Sequence, residues 1–400
     1  MWSSTMATKN WCTKFPIAII PMRLLPTKSL KARANRSIVE LIAWDSESLL
    51  RGTFPSVDQY GNELKGARAL KAGKEIAGGW RAAFESWTGD WKERALSHSF
   101  VKRNYQSMRL CDQCDAIKPF AKTPPNLMRL IFSDFSEGAA WTQTLRDHTT
   151  YLQQTPCAEV TPWVAVPGFT IDRVKFEVAH TVLLGTGKDI AASFLVDLVE
   201  LPILPRLHEQ GVVLNSLQGV PMPVDPTVDK GNALMSKLGM AFRRWCKRNK
   251  VEKPPQTWNM HLVGRSETNT VYPNLDSNVK AAHTKPILFF LAEVAKEISD
   301  NCDCSGCSLR SLALWGSCEF LWVTDRPALY LGRSLADKAY HAGTVALRSY
   351  SKLSSRCLQS ERLNYKLRPK WHAWAHIVLG FKTSGENCRN HKTLSEEDML

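Results

Sequence analysis

The chain has 400 residues, 44% of them hydrophobic, enough to bury a sizeable core and to exclude disorder throughout. Lysine and arginine exceed aspartate and glutamate by 52 to 38, a net charge of +14, and the excess is clustered. The longest apolar run, PILFFLAEVA at 286–295, is too short to cross a bilayer and already contains Glu293, so no membrane span is predicted and the protein reads as soluble.

Residues 1–39 carry Lys9, Lys14, Arg23, Lys28, Lys31, Arg33 and Arg36 and no acid. Residues 1–40 therefore read as a basic, disordered arm. Its first 36 residues also have transit-peptide composition, which leaves mitochondrial or plastid targeting open beside a nuclear or cytoplasmic location. Pro16, Pro21 and Pro26 argue against the helix such a peptide needs. Eleven cysteines, an odd number spread along the chain, point away from a disulfide scaffold and towards a reducing compartment.

Helices are predicted over 37–50, over 66–87 with a break at Gly78-Gly79, and over 139–151, followed by a short strand at 161–169. The stretch GKDIAASFLVDLVEL, 187–201, predicts a helix with one face in the core. Asp189, Ser193, Asp197 and Glu200 recur opposite Ile190, Phe194, Leu195, Leu198 and Val199. Residues 218–232, rich in proline and glycine, read as an exposed loop, and 252–278 as irregular. Further helices are predicted from Pro286, with Ile287, Leu291, Val294 and Ile298 on one stripe, over 328–358, and over 370–380 closed by Gly380. The implied parts are 1–40, an N-terminal part at 41–220, a basic linker or insertion at 221–285, and a helical C-terminal part at 286–400.

Cys111 and Cys114 have the spacing with which two thiolates grip one tetrahedral zinc, and His148, Cys157 and His180 are candidates for the remaining ligands. Two unliganded core thiols or a redox pair are the alternatives. Cys302, Cys304 and Cys307, with Cys318 beyond, offer a second metal loop or a flexible cysteine-rich helix end. His372 and His376 share a helical face, but their neighbours Trp371 and Trp374 favour packing or base stacking over ligation. Arg243, Arg244, Lys247, Arg248 and Lys250 form a basic cluster. Lys366, Arg368 and Lys370 interleave with Tyr365 and Trp371, a mixture suited to holding phosphate and stacking bases. The bland reading of both is a solvated basic face. LLGTGKDIAAS is not a phosphate loop, because Val182 stands where glycine is required and Asp189 follows Lys188. Common hydrolase signatures are absent.

The order of GDWKERALSHSFVKRNYQSMRLCDQCDA, AAWTQT, PCAEVTPWVAVPGFTIDRVKFEVAHTVLLGTGKD, RWCKRNK, YPNLDSNVKAAHTK and YKLRPKWHAWAH resembles a multicopy family of uncharacterised dinoflagellate proteins. The resemblance covers residues 85–398; in the family the terminal segment usually continues, which implies a truncated chain. The same order is distantly similar to CACTA-like DDE transposases. That similarity implies an RNase H-like fold with Asp90 as the first acid, Cys111 and Cys114 as the CxxC, and Glu177 with His180 in place of an Asp-x-x-His motif.

Such enzymes use carboxylates to hold two Mg²⁺ ions for in-line phosphoryl displacement. Glu177 is a methylene longer than aspartate, which would shift a metal by roughly 1 Å and cost on the order of 10²-fold in rate. No third acid stands out, since Glu293, Glu297 and Glu361 read as solvated helix-surface residues. The expectation is a helix-rich α/β protein, an RNase H-like core with helical insertions and a small zinc-binding element. Its expected function is that of a transposase-derived, zinc-containing protein that binds DNA or RNA without efficient catalysis. The alternatives are an active Mg²⁺-dependent nuclease or strand transferase, and an interaction module whose fourteen tryptophans serve packing.

Overall fold

The computed structural model describes residues 28–89, 91–96, 100, 102–218, 230–252, 254–266 and 271–391. Asp90, the arm before residue 28 and most of the 218–232 loop lie outside them. The chain divides into two compact units, residues 1–131, 140–175 and 395–400 in the first and residues 132–139 and 176–394 in the second. This boundary falls inside the single N-terminal part expected at 41–220. The described residues are helix-rich, with one two-stranded sheet of β1 (Trp87–Gly89) and β2 (Val174–Phe176). None of their helices is long and apolar enough to cross a membrane.

In the first unit, α1 (Lys28–Arg51) begins well before the predicted 37–50, so the arm expected to be disordered is helical from residue 28. Val39, with Ile42 and Ala43 at helical spacing, packs on Tyr151, Trp163, Val166, Phe169, Ile171 and Val174. The helix predicted at 66–87 is replaced by turns, with 3-10 segments at Ala69–Lys71 and Ala77–Gly79. Gly66, Gly73, Gly78 and Gly79 all take positive φ there, a conformation no α-helix contains. Residues 139–151 divide into a 3-10 turn (Ala140–Thr144) and α3 (His148–Gln154), after the short α2 (Trp91–Leu96). The strand expected at 161–169 is a 3-10 turn at Pro162–Ala165. Trp163, Val166 and Phe169 bury themselves at a spacing of three, where a strand would need two.

The second unit is built around α4 (Gly187–Glu200), preceded by a π-helical segment at Ala179–Thr186 and followed by α5 (Ile203–Glu209). One buried face was expected of α4; every residue from Gly187 to Leu198 is buried. It packs against α6 (Lys230–Asn249), α7 (Ala281–Asp300) and α8 (Ser305–Thr324). α7 starts at Ala281, which places Pro286 inside it, and α8 was not anticipated as a helix. The latter is apolar on several sides because it lies between α7 and α9 (Arg333–Gln359). Gly316 permits the α8–α9 approach: a Cβ there would stand 2.5 Å from the Ala342 carbonyl oxygen. Last comes α10 (Pro369–Thr383) against α9, running three residues past the predicted stop at Gly380.

The polar stripe of α4 is neutralised from elsewhere in the same unit. Asp197, fully buried, accepts from Arg310 Nε at 2.5 Å, Arg362 Nη2 at 2.6 Å, Asn364 Nδ2 at 2.8 Å and the Tyr365 hydroxyl at 2.8 Å. Glu200, one turn on, also accepts from Arg362 at 3.2 Å.

Candidate functional site

Cys111 and Cys114 sit in the loop of a short hairpin. Arg109 bridges Ile117 across it, and the Leu110 amide donates to the Ala116 carbonyl at 3.3 Å. Both thiols are fully buried. Arg103 clamps the loop, donating to the Cys111 carbonyl at 3.1 Å, to the Cys114 carbonyl at 3.0 Å and to Asp115 at 3.0 Å. Arg146 shares the same Asp115 oxygen at 2.7 Å, and Gln113 ties the loop to the Val174 carbonyl. Burial, followed by the hydrogen bond and charge of Cys111, pushes the Cys114 thiol well above its ordinary range. A hairpin knuckle without a helix start does not suit a thioredoxin-like pair, whereas two convergent sulfurs on a braced loop suit half a zinc site.

The predicted additional ligands do not gather there. His148 stands half-buried on α3, edge-on to Phe169 at 6.3 Å, and Cys157 is exposed. Neither places a ligand atom within 4.8 Å of both sulfurs, because the 3-10 turns between residues 140 and 165 carry them elsewhere.

A cavity of about 460 Å³ in the first unit was not foreseen. Its lining includes Lys102, Arg103, Arg109, Arg146 and Tyr151, with Glu159 as the acid. The Arg146 side chain is almost wholly buried, and its Nε and Nη1 have no hydrogen-bond partner among the described residues. Burial, then the like charge of Arg103, lowers its pKa against the pull of Asp115.

In the second unit, the favoured packing role of His372 and His376 is half of what the structure shows. The two Nε2 atoms face each other at 3.1 Å, with His372 fully buried. The tryptophans do pack: Trp371 stacks on Tyr350 at 3.7 Å and Trp374 meets Phe320 edge-on at 5.6 Å. The helix thereby fixes two imidazoles on one face, their Nε2 atoms paired. Cys302, Cys304 and Cys307 also converge, with the Cys307 sulfur 3.0 Å from each of the other two, while Cys318 lies apart within α8. These Cys and His groups are sets that can bind a metal such as zinc.

Glu177 is consumed locally. Its Oε1 accepts the Ala179 amide at 2.8 Å, and its Oε2 accepts the His180 amide and lies 2.8 Å from His180 Nδ1. Fully buried, it caps the segment that follows it. His180 is held in that cap. Glu293 and Glu297 are not simply solvated, as was expected. Glu293 accepts from Trp245 Nε1 at 2.7 Å and Arg248 at 2.7 Å, and Glu297 accepts from the Ser216 amide at 3.0 Å and hydroxyl at 2.8 Å.

On α6, Arg243, Arg244, Lys247 and Arg248 are exposed while Phe242, Trp245 and Cys246 are buried. The C-terminal cluster is more committed. Lys366 is exposed and lies 5.0 Å from the Tyr272 ring centroid. Arg368 pairs with buried Asp189 at 3.3 Å, and Lys370 donates to the His180 carbonyl at 2.9 Å. The latter two therefore have structural partners. The chain matches no family model, no curated protein and no solved structure.

Proposed function

We propose that this is a zinc-containing, nucleic-acid-binding protein of transposase descent without efficient catalysis. The observation that carries the reading is the double engagement of Arg103, which clamps both cysteine carbonyls of the CxxC knuckle and lines the basic cavity. A metal-stiffened loop would hold such a cationic pocket in shape for a phosphate. Cys111 and Cys114 are two of the zinc ligands. They offer two of the four donors tetrahedral zinc takes. Bound zinc would serve structure by stiffening the loop that Arg103 braces.

The exposed cations of α6 add non-specific affinity for the backbone. Transposase descent itself rests on the motif resemblance. The described sheet has only two strands, so the RNase H-like core gains no support from it. Low catalytic competence fits the capping role of Glu177.

Metal analysis of the purified protein is expected to give about one zinc per chain that is lost in Cys111→Ser/Cys114→Ser. Zinc absent from the wild type would overturn the metal reading. For the polyanion, fluorescence anisotropy with a short DNA duplex at several salt concentrations should show affinity falling steeply with salt. The slope should become shallower by about 0.9 for each phosphate contact removed, in Lys102→Ala/Arg109→Ala and in the quadruple alanine variant at Arg243, Arg244, Lys247 and Arg248. An unchanged slope in both variants would sink the nucleic-acid assignment.

A further inference from the structure

We propose that Cys302, Cys304 and Cys307 form a three-coordinate site for a soft monovalent cation of the copper(I) class. The three sulfurs lie within 4.8 Å of one another, and no histidine, carboxylate or fourth thiol among the described residues joins them. A structural zinc closes a set of four, whereas an all-thiolate set of three suits a soft ion that accepts low coordination.

The local fold positions the donors. Cys304 is the N-cap of α8, and its sulfur accepts the Cys307 amide at 3.2 Å, which brings both thiols to the positive end of a 20-residue helix. Arg310 supplies a second, fixed positive charge. Its Nε is anchored on Asp197 at 2.5 Å, and its Nη1 lies 2.8 Å from where a Cβ on Gly306 would stand. Gly306 thus lets the guanidinium lie against the cysteine loop. Three thiolates around a monovalent ion keep two negative charges, which the helix end and Arg310 offset.

Exposure assigns the site a role. Cys307 is buried, Cys302 half-buried and Cys304 exposed, so one side of the ion faces solvent and can exchange with an external thiol or chelator. α8 is held independently by its packing on α7 and α9, so the fold does not depend on the ion. The site is built for uptake and release of a thiophilic cation.

The test is an anaerobic titration of the full chain with copper(I), competed with bicinchoninate and followed by the near-ultraviolet thiolate-to-copper absorption, with a parallel zinc titration. The wild type should bind one copper(I) that Cys302→Ser/Cys307→Ser does not. Cys304→Ser, whose hydroxyl can keep the exposed cap, should weaken binding at least about tenfold with an unchanged melting temperature in the absence of copper. Copper uptake equal in wild type and variants would overturn the proposal. So would zinc displacing copper from these residues, or a Cys304–Cys307 disulfide forming with no copper bound. Zinc at Cys111 and Cys114 is read by its own variants, so the two assignments fail separately.

Discussion

Asp197→Ala is expected to destabilise the second unit by about 3–5 kcal/mol, the scale for breaking a buried ion pair from one side. Both oxygens of this carboxylate are doubly engaged, Oδ2 by Arg310 and Tyr365 and Oδ1 by Arg362 and Asn364. Without it, Arg310 keeps its charge in a site where its side chain is only 9% exposed. Tyr365 keeps its proton, because burial, the largest cause of its raised pKa, remains when the Asp197 charge is gone. That hydroxyl would be left as a buried donor without an acceptor. Arg362, better hydrated, contributes less to the loss. Urea unfolding should show a lower midpoint with unchanged slope. A shift below about 1 kcal/mol would mean that water reaches Arg310 and that the cluster is not a dry network.

The same cluster shows where sequence periodicity stops being informative. The 3.6-residue pattern of 187–201 is a reliable sign of a helix, and α4 is there. Its polar face was assigned to solvent because the cations that neutralise it lie 113 and 165 residues further on. Conversely, α8 gives no periodic signal, because a helix covered on several sides has no polar stripe to mark its period. At 66–87 the composition suits a helix, but four positive-φ glycines decide the backbone before side-chain propensity can act.

For the site, spacing identifies Cys111 and Cys114 and nothing more. Ligands were sought close in sequence, yet His148 and Cys157 are carried away by 3-10 turns. His372 and His376 were given to packing because of their tryptophan neighbours. On a helix these needs do not compete: Trp371 and Trp374 fill other faces while the two imidazoles stay paired at 3.1 Å. Arg103 carries no motif at all, since its role is a set of hydrogen bonds to main-chain carbonyls. Glu177 occupies a motif position that its geometry turns into a cap.

Asp189→Asn should stabilise the protein at neutral pH and flatten the dependence of stability on pH. Asp189 is buried, and burial pushes its carboxyl from an ordinary 3.8 up to about 7, against the opposing pull of Arg368 and of the Lys370 and Lys366 charges. A carboxyl that holds its proton more tightly when folded binds more protons in the native than in the unfolded state between these values. Stability therefore falls as pH rises through that window and levels off above about 7. The shift corresponds to roughly 4 kcal/mol lost between about pH 4 and pH 8. Asparagine keeps the shape and carries no charge to bury, so the variant should gain most at pH 8 and less than half as much at pH 5. Urea midpoints for both proteins at the two pH values decide the matter. Parallel curves would show that Arg368, 3.3 Å from Oδ1, already offsets the burial of the charge and that the pair is a net-neutral contact.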